Sequence, residues 1–118
     1  MTRAKDTEIS AAILSEYHRR LAEHIVGDVI VVGAGPSGLV AATRLAGEGL
    51  KGTILEKRLA PGGGIWGGGM AMNQAVVQDE ALGILDETGV GHVPAGGGLH
   101  AVDAIELAAG LTFRAVKS

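Results

Sequence analysis

The chain has 118 residues, room for one small domain, with a formal net charge of -3 and 47% hydrophobic residues. There is no basic excess of the kind nucleic acid selects. The absence of cysteine excludes disulfides and thiolate chemistry and suits a reducing cytoplasm. Apolar runs such as Val29–Val32 fall far short of the ~20 residues of a membrane helix. The opening MTRAKDTEIS has no apolar stretch of the kind a signal peptide carries. Aromatic residues make up only 3%, so the core must be aliphatic. Glycine is the anomaly, with 20 residues against a usual share of roughly 7%. It clusters at 33–38, 62–69 and 96–98, which suggests sites rather than disorder.

Ile13, Leu14, Tyr17, Leu21 and Ile25 recur at helical spacing opposite Glu16, Arg19, Arg20 and Glu23. This predicts an amphipathic helix over about 8–24, with Ser10 as an alternative cap. Asp28–Val32 predicts a strand buried on both faces. Pro36–Gly47 predicts a small-residue helix with proline in its first turn and Gly49 as its stop. Thr53–Glu56 predicts a second strand, weakened by Gly52. Val76, Val77, Ala81, Leu82, Ile84 and Leu85 read as a further helical stripe closed by Gly89. Val90–Val93 reads as a short strand, Pro94–Gly98 as a turn and Ala101–Val116 as a last helix.

Strand, helix, strand implies parallel pairing with a right-handed crossover. The expected fold is α/β, a Rossmann-like βαβ unit with an incomplete sheet, preceded by an N-terminal helix. The boundaries are an N-terminal helical segment over 1–26 and a partial dinucleotide-binding domain over 27–118. Two clear strands are few for a doubly wound sheet, and a strand is expected after the last helix. The sequence is therefore expected to be the N-terminal part of a larger protein or a shortened reading frame.

Gly33-Ala-Gly-Pro-Ser-Gly38 matches G-x-G-x-x-G after a predicted strand and at the opening of a helix, the context that gives this pattern meaning. Gly33 permits the tight turn, Gly35 lets a pyrophosphate approach the backbone, and Gly38 lets helix and strand pack closely. The helix N-terminus offers unpaired N–H groups to the anion, and Ser37 adds a hydroxyl. Glu56 lies 18 residues after Gly38, where an acid binds ribose hydroxyls. An acid there repels a 2′-phosphate, so NAD or FAD is favoured over NADP. The bland alternative is an ordinary glycine turn with a solvated glutamate.

The stretch Pro61-Gly-Gly-Gly-Ile-Trp-Gly-Gly-Gly-Met70 follows almost directly, at the strand ends that face the ligand crevice. Two readings stand for Trp66: a ring laid on a nucleotide or a partner subunit, or a ring packed into the core beside a flexible loop. Lys57 and Arg58 either contact phosphate or are solvated. His18 and His24 read as surface residues. His92 and His100, the latter near Asp103, are a weak candidate metal pair.

DVIVVGAGPSGLVAA, LEKRLAPGGGIWGGGM and the following IL-DETGV together resemble the ADP-thiazole synthase family of thiamine biosynthesis, from about Tyr17 to the end. The Gly-rich tryptophan stretch is the specific part and is similar to the archaeal and bacterial branch. The resemblance implies a two-dinucleotide-binding-domain fold and a transferase-type enzyme that consumes NAD as substrate. Glycine condenses with the NAD-derived ADP-ribose, and sulfur is added to give an ADP-thiazole carboxylate. It implies sulfide as sulfur source, Fe(II), and a homo-oligomer in which a neighbour completes the site. Carried onto this sequence, Ser37, Glu56, Lys57 and Gly64 fall at positions contacting the nucleotide, beside Gly33, Gly35 and Gly38. No metal ligand is assigned within the chain; the iron ligands, glycine-binding arginine and sulfur-donor position fall beyond it. Departures are Gly52, Ala71-Met72 and the loose Gly96–Gly98. The alternatives are an FAD-dependent oxidoreductase and a ribose 1,5-bisphosphate isomerase-like relative. No membrane partner is expected.

Overall fold

A computed structural model describes residues 3–67 and 72–118. Helix α1 (Asp6–Glu23) opens the chain, followed by strand β1 (Val29–Val32), helix α2 (Pro36–Gly47) and strand β2 (Gly52–Leu55). After a 3-10 turn at Gly63–Trp66 come strand β3 (Gln74–Gln78), a second 3-10 turn at Asp79–Ala81 and helix α3 (Leu82–Thr88). A hairpin of β4 (Val93–Gly96) and β5 (Leu99–Asp103) leads into helix α4 (Ala104–Lys117).

β1 and β2 pair in parallel, with Val29 opposite Gly52 and Val32 opposite Leu55, and α2 makes the crossover. Gly52 thus sits at the first rung of its strand, where lost side-chain packing costs least. Proline stands at the start of α2, where its missing N–H is no loss. The second sheet is antiparallel in the order β3-β5-β4. The core gathers Ala34, Leu39, Leu85, Val90, Val102, Leu107 and Leu111, so α2, α3 and α4 share one aliphatic interior with β5.

Four expectations are corrected. Residues 74–78 form a strand: the alternating burial of Ala75 and Val77 shows a period of two where the wider stripe suggested helix. The strand placed at 90–93 begins at Val93, because Val90 belongs to the close of α3, its N–H donating to the Leu85 carbonyl at 3.0 Å. The last helix starts at Ala104; Leu99–Asp103 pair with both β3 and β4. The Gly96–Gly98 turn, three residues of positive φ, closes this hairpin. β1 is not buried on both faces. Val29 and Val31 are half-buried, while Ile30 and Val32 are 64% and 83% exposed, because no described layer covers their side.

α1 begins two residues before the expected span. Its first turn is closed by Glu8, whose carboxylate accepts from the Lys5 N–H at 3.0 Å, so Ser10 is not its cap. No residue of α1 is buried. Its apolar stripe is exposed, and His24 ties its end to β2 through a 2.8 Å hydrogen bond between Nδ1 and Thr53 Oγ1. Among the described residues no helix is long and apolar enough to cross a membrane.

Candidate functional site

The glycine loop forms at the carboxyl end of β1. The N–H of Gly33 donates to the Leu55 carbonyl at 2.8 Å, extending the parallel ladder one step, and its φ of 99° turns the chain out of the sheet. Gly35 caps α2, and the Leu39 N–H donates to its carbonyl at 2.9 Å as the first turn closes. Ser37 and Gly38 follow within that turn, where backbone N–H groups have no partner inside the helix. They point outward at the positive end of a 12-residue helix.

The three glycines have different reasons. A side chain on Gly38 would collide with the Gly33 carbonyl and lie 3.4 Å from Val31 Cγ1, so helix and strand are in backbone contact there. Gly33 needs its positive φ. Gly35 has an ordinary φ of -75°, and a Cβ on it would meet no described atom within 4 Å. Nothing in the described fold requires glycine at 35. The space above its backbone is open, as a cradle for an anion requires.

The tryptophan loop is fastened onto this cradle. The Gly62 N–H donates to the Ala34 carbonyl at 2.7 Å. A Cβ on Gly63 would come within 3.1 Å of Gly35 Cα. Gly62 and Gly63 both have positive φ, which lets the loop double back. Trp66 is neither in the core nor spread over the glycine loop. Its indole N–H donates to the Pro61 carbonyl at 2.8 Å and its ring covers Gly62, leaving it 47% exposed. Neighbouring Ile65 packs against the core and anchors the turn. Gly64 is exposed. Gly68, Gly69, Met70 and Ala71 lie outside the described residues.

Glu56 is half-buried immediately after β2, one residue beyond the carbonyl that receives Gly33. Ser37 and Lys57 are exposed, as is Arg58. The fold thus collects Gly33, Gly35, Ser37, Gly38 and Glu56 at the carboxyl ends of two adjacent parallel strands, with Gly62–Gly64 across the loop. A hollow of about 1070 Å³ does not coincide with this cradle. It lies under α1 against β2 and the end of α4 and borders the cradle at Ala34, Glu56 and Pro61. The loop geometry defines the site; the hollow is space beneath an unpacked helix.

The histidine pair does come together. The rings of His92 and His100 meet edge to face with centroids 5.1 Å apart, and His100 Nε2 lies 2.7 Å from Asp79 Oδ1. Asp79 was not foreseen; only the β3–β5 register brings it to His100. Asp103 is engaged elsewhere, capping α4 through the Glu106 N–H at 2.8 Å. Among the described residues no group of three or more His, Cys, Asp or Glu side chains is arranged to hold a metal. The iron implied by the resemblance therefore has no fitting donor set among the described residues.

A parallel β–α–β unit with a glycine-rich turn and an acid after its second strand defines a protein of the Rossmann-like α/β class. Within that class the chain belongs to the Thi4 family, whose profile matches residues 10–118. It is 49% identical over 114 residues to the thiamine thiazole synthase of Thermococcus kodakarensis, and equally to that of Pyrococcus horikoshii. It is 44% identical over 113 residues to that of Methanothermobacter thermautotrophicus. The crystal structure of Thermovibrio ammonificans THI4 superimposes with a TM-score of 0.92 at 40% identity, over 98% of this chain and 45% of that one. The chain spans about 45% of the length of the first two relatives.

Proposed function

We propose that this chain is the nucleotide-binding part of a thiamine thiazole synthase, holding NAD as substrate for the assembly of an adenylated thiazole carboxylate from NAD, glycine and sulfide. The observation that carries the reading is the open cradle at Gly35, roofed by Gly62 and Gly63, on a scaffold whose relatives are named thiamine thiazole synthase. The Ser37 and Gly38 N–H groups meet the pyrophosphate, and the Ser37 hydroxyl adds a donor. The Glu56 carboxylate accepts from ribose hydroxyls and repels a 2′-phosphate. Lys57 and Gly64 border the nucleotide. The tryptophan loop is tied to the glycine loop through the Gly62 N–H and the Ala34 carbonyl. The sulfide-dependent, transferase-type chemistry and a homo-oligomer are part of this proposal, supported by the likeness of the Gly-rich tryptophan loop.

Denaturing the purified protein and identifying the released small molecule by mass spectrometry tests the reading. An NAD-derived or thiazole adenylate supports it. FAD moves the protein to the flavoenzymes, and an empty protein that also fails to bind added NAD removes the nucleotide assignment.

A further inference from the structure

Two peptide groups lie between Trp66 and the glycine cradle, and hydrogen bonds join them in series. The Trp66 indole N–H donates to the Pro61 carbonyl at 2.8 Å. The peptide plane of that carbonyl also carries the Gly62 N–H, which donates to the Ala34 carbonyl at 2.7 Å. The plane of the Ala34 carbonyl in turn carries the Gly35 N–H. Among the described residues nothing accepts from that last group. Both peptides are trans, so in each the N–H points opposite to the C=O. The Pro61 carbonyl faces the indole, and the Gly62 N–H therefore faces the glycine loop. The Ala34 carbonyl faces Gly62, and the Gly35 N–H therefore points away from the tryptophan loop. The space around Gly35 is open, since a Cβ there would meet no described atom within 4 Å.

The direction of this N–H matters because the turn is short of donors. Residue 36 is proline, which has no N–H to give. The start of α2 is left with the Gly35, Ser37 and Gly38 groups for an anion. Only the first of these has its peptide plane pinned from outside the helix. The donors of the series also run head to tail, and hydrogen bonds in such chains strengthen one another by roughly 10–30% per bond.

Ring packing alone does not account for a tryptophan at 66. The ring is 47% exposed, and Ile65 already anchors the turn in the core. Its cover over Gly62 is close, because a Cβ on that glycine would lie 3.0 Å from Cε2 and 3.1 Å from Cδ1. A phenylalanine ring offers similar cover. What the indole adds is a donor that can do nothing but donate, at the head of the series.

We propose that Trp66 is a positioning residue for the diphosphate of the nucleotide. Its N–H fixes the Pro61–Gly62 peptide, that peptide fixes the Ala34–Gly35 peptide, and the Gly35 N–H is thereby aimed at the anion beside those of Ser37 and Gly38. The indole acts through two backbone groups and does not itself touch the ligand. This inference rests on the nucleotide reading given above.

The test compares the full 118-residue chain with its Trp66→Phe variant, which keeps a ring over Gly62 and removes the donor. NAD is the probe in calorimetry, and amide proton resonances are followed by NMR with and without NAD. The expected variant melts within a few degrees of the parent. Its affinity for NAD falls about three- to tenfold, the range of one neutral hydrogen bond. Its Gly62 and Gly35 amide resonances move, while that of Gly33, bonded to the Leu55 carbonyl, stays in place. In the parent the Gly35 resonance shifts downfield when NAD is added. A structural role alone would not move Gly35 and spare Gly33. Undiminished NAD affinity in the variant, or a weakened affinity with the Gly35 resonance unmoved, overturns the proposal and leaves the nucleotide reading standing. A large fall in the melting temperature also overturns it, by making the ring part of the fold's support. A parent chain that does not bind NAD removes the nucleotide reading, and the proposal with it.

Discussion

Gly35 and Gly38 are three residues apart in one motif, yet their substitution by alanine should separate folding from binding. At Gly38 the added methyl meets the Gly33 carbonyl, a backbone group that cannot rotate away, and Val31 Cγ1 stands at 3.4 Å behind it. Overpacking of this kind costs about 1–3 kcal/mol. Backbone against backbone belongs in the upper half of that range, and ~2 kcal/mol corresponds to a melting temperature lower by roughly 8 °C or more in a domain of this size. At Gly35 the φ of -75° suits any residue and the methyl meets no described atom within 4 Å. The loss of glycine at a helix N-cap and the reduced freedom of the unfolded chain are each worth under about 1 kcal/mol and oppose each other. Gly35→Ala should therefore melt within a few degrees of the parent. Its methyl occupies the space assigned to the pyrophosphate, so its affinity for NAD should fall at least tenfold. Thermal unfolding by circular dichroism and NAD titration by calorimetry read the two effects. Equal melting shifts in the two variants, or undiminished NAD binding by Gly35→Ala, would refute the division of roles.

Three further outcomes follow from the geometry. Glu56→Gln should weaken NAD binding by roughly ten- to a hundredfold, the range for losing hydrogen bonds to a charged group; unchanged affinity in calorimetry would remove Glu56 from the ribose. Leu85→Ala, at a side chain 1% exposed, should cost about 2–5 kcal/mol, a large share of any small domain's stability, and a melt within a few degrees of the parent would show that the core is misplaced. Trp66→Phe removes the hydrogen bond to the Pro61 carbonyl. Its effect should stay local, read as faster amide exchange at Gly62 with the global melt nearly unchanged; a global loss would make the ring part of the core.

The βαβ unit was legible because its signals are local and agree. Proline at the start of α2 and the apolar run before Gly33 name the same element boundaries from both sides. The position of Glu56 just after β2 was legible from its distance beyond Gly38. The antiparallel sheet was not legible. Gln74–Gln78 is five residues with one half-buried face, and its valines fall at helical spacing from the leucines and isoleucine of the real helix α3. Only pairing with β5, some 25 residues later, decides between the two periods. The fate of Trp66 was equally hidden, because among the described residues the tryptophan closes its loop on Pro61 and Gly62. The loop's attachment to the glycine cradle was foreseen in direction, from its place after β2. The reason is now specific: Gly63 lies against Gly35, and a side chain on Gly63 would part the two loops.

Binding and chemistry should therefore be separable in this protein. The cradle relies on backbone N–H groups and one carboxylate, all within a β–α–β unit whose interior side is packed. Carbon–sulfur and carbon–nitrogen bond formation demands more: positioned acids, bases or a metal in a water-free space. The described residues place no three metal-ligating side chains together, and the side of β1 that faces the expected crevice stands open, with Val32 83% exposed. Water reaching the cradle screens the charges that would stabilise a transition state. The isolated 118-residue chain is thus expected to bind NAD without consuming it. Chromatographic assay of free nicotinamide after incubation with NAD, glycine, sulfide and ferrous iron measures this directly. Catalytic release of nicotinamide by the chain alone would show that the reacting groups lie within these residues, and that the open face is closed by a movement the fold itself supplies.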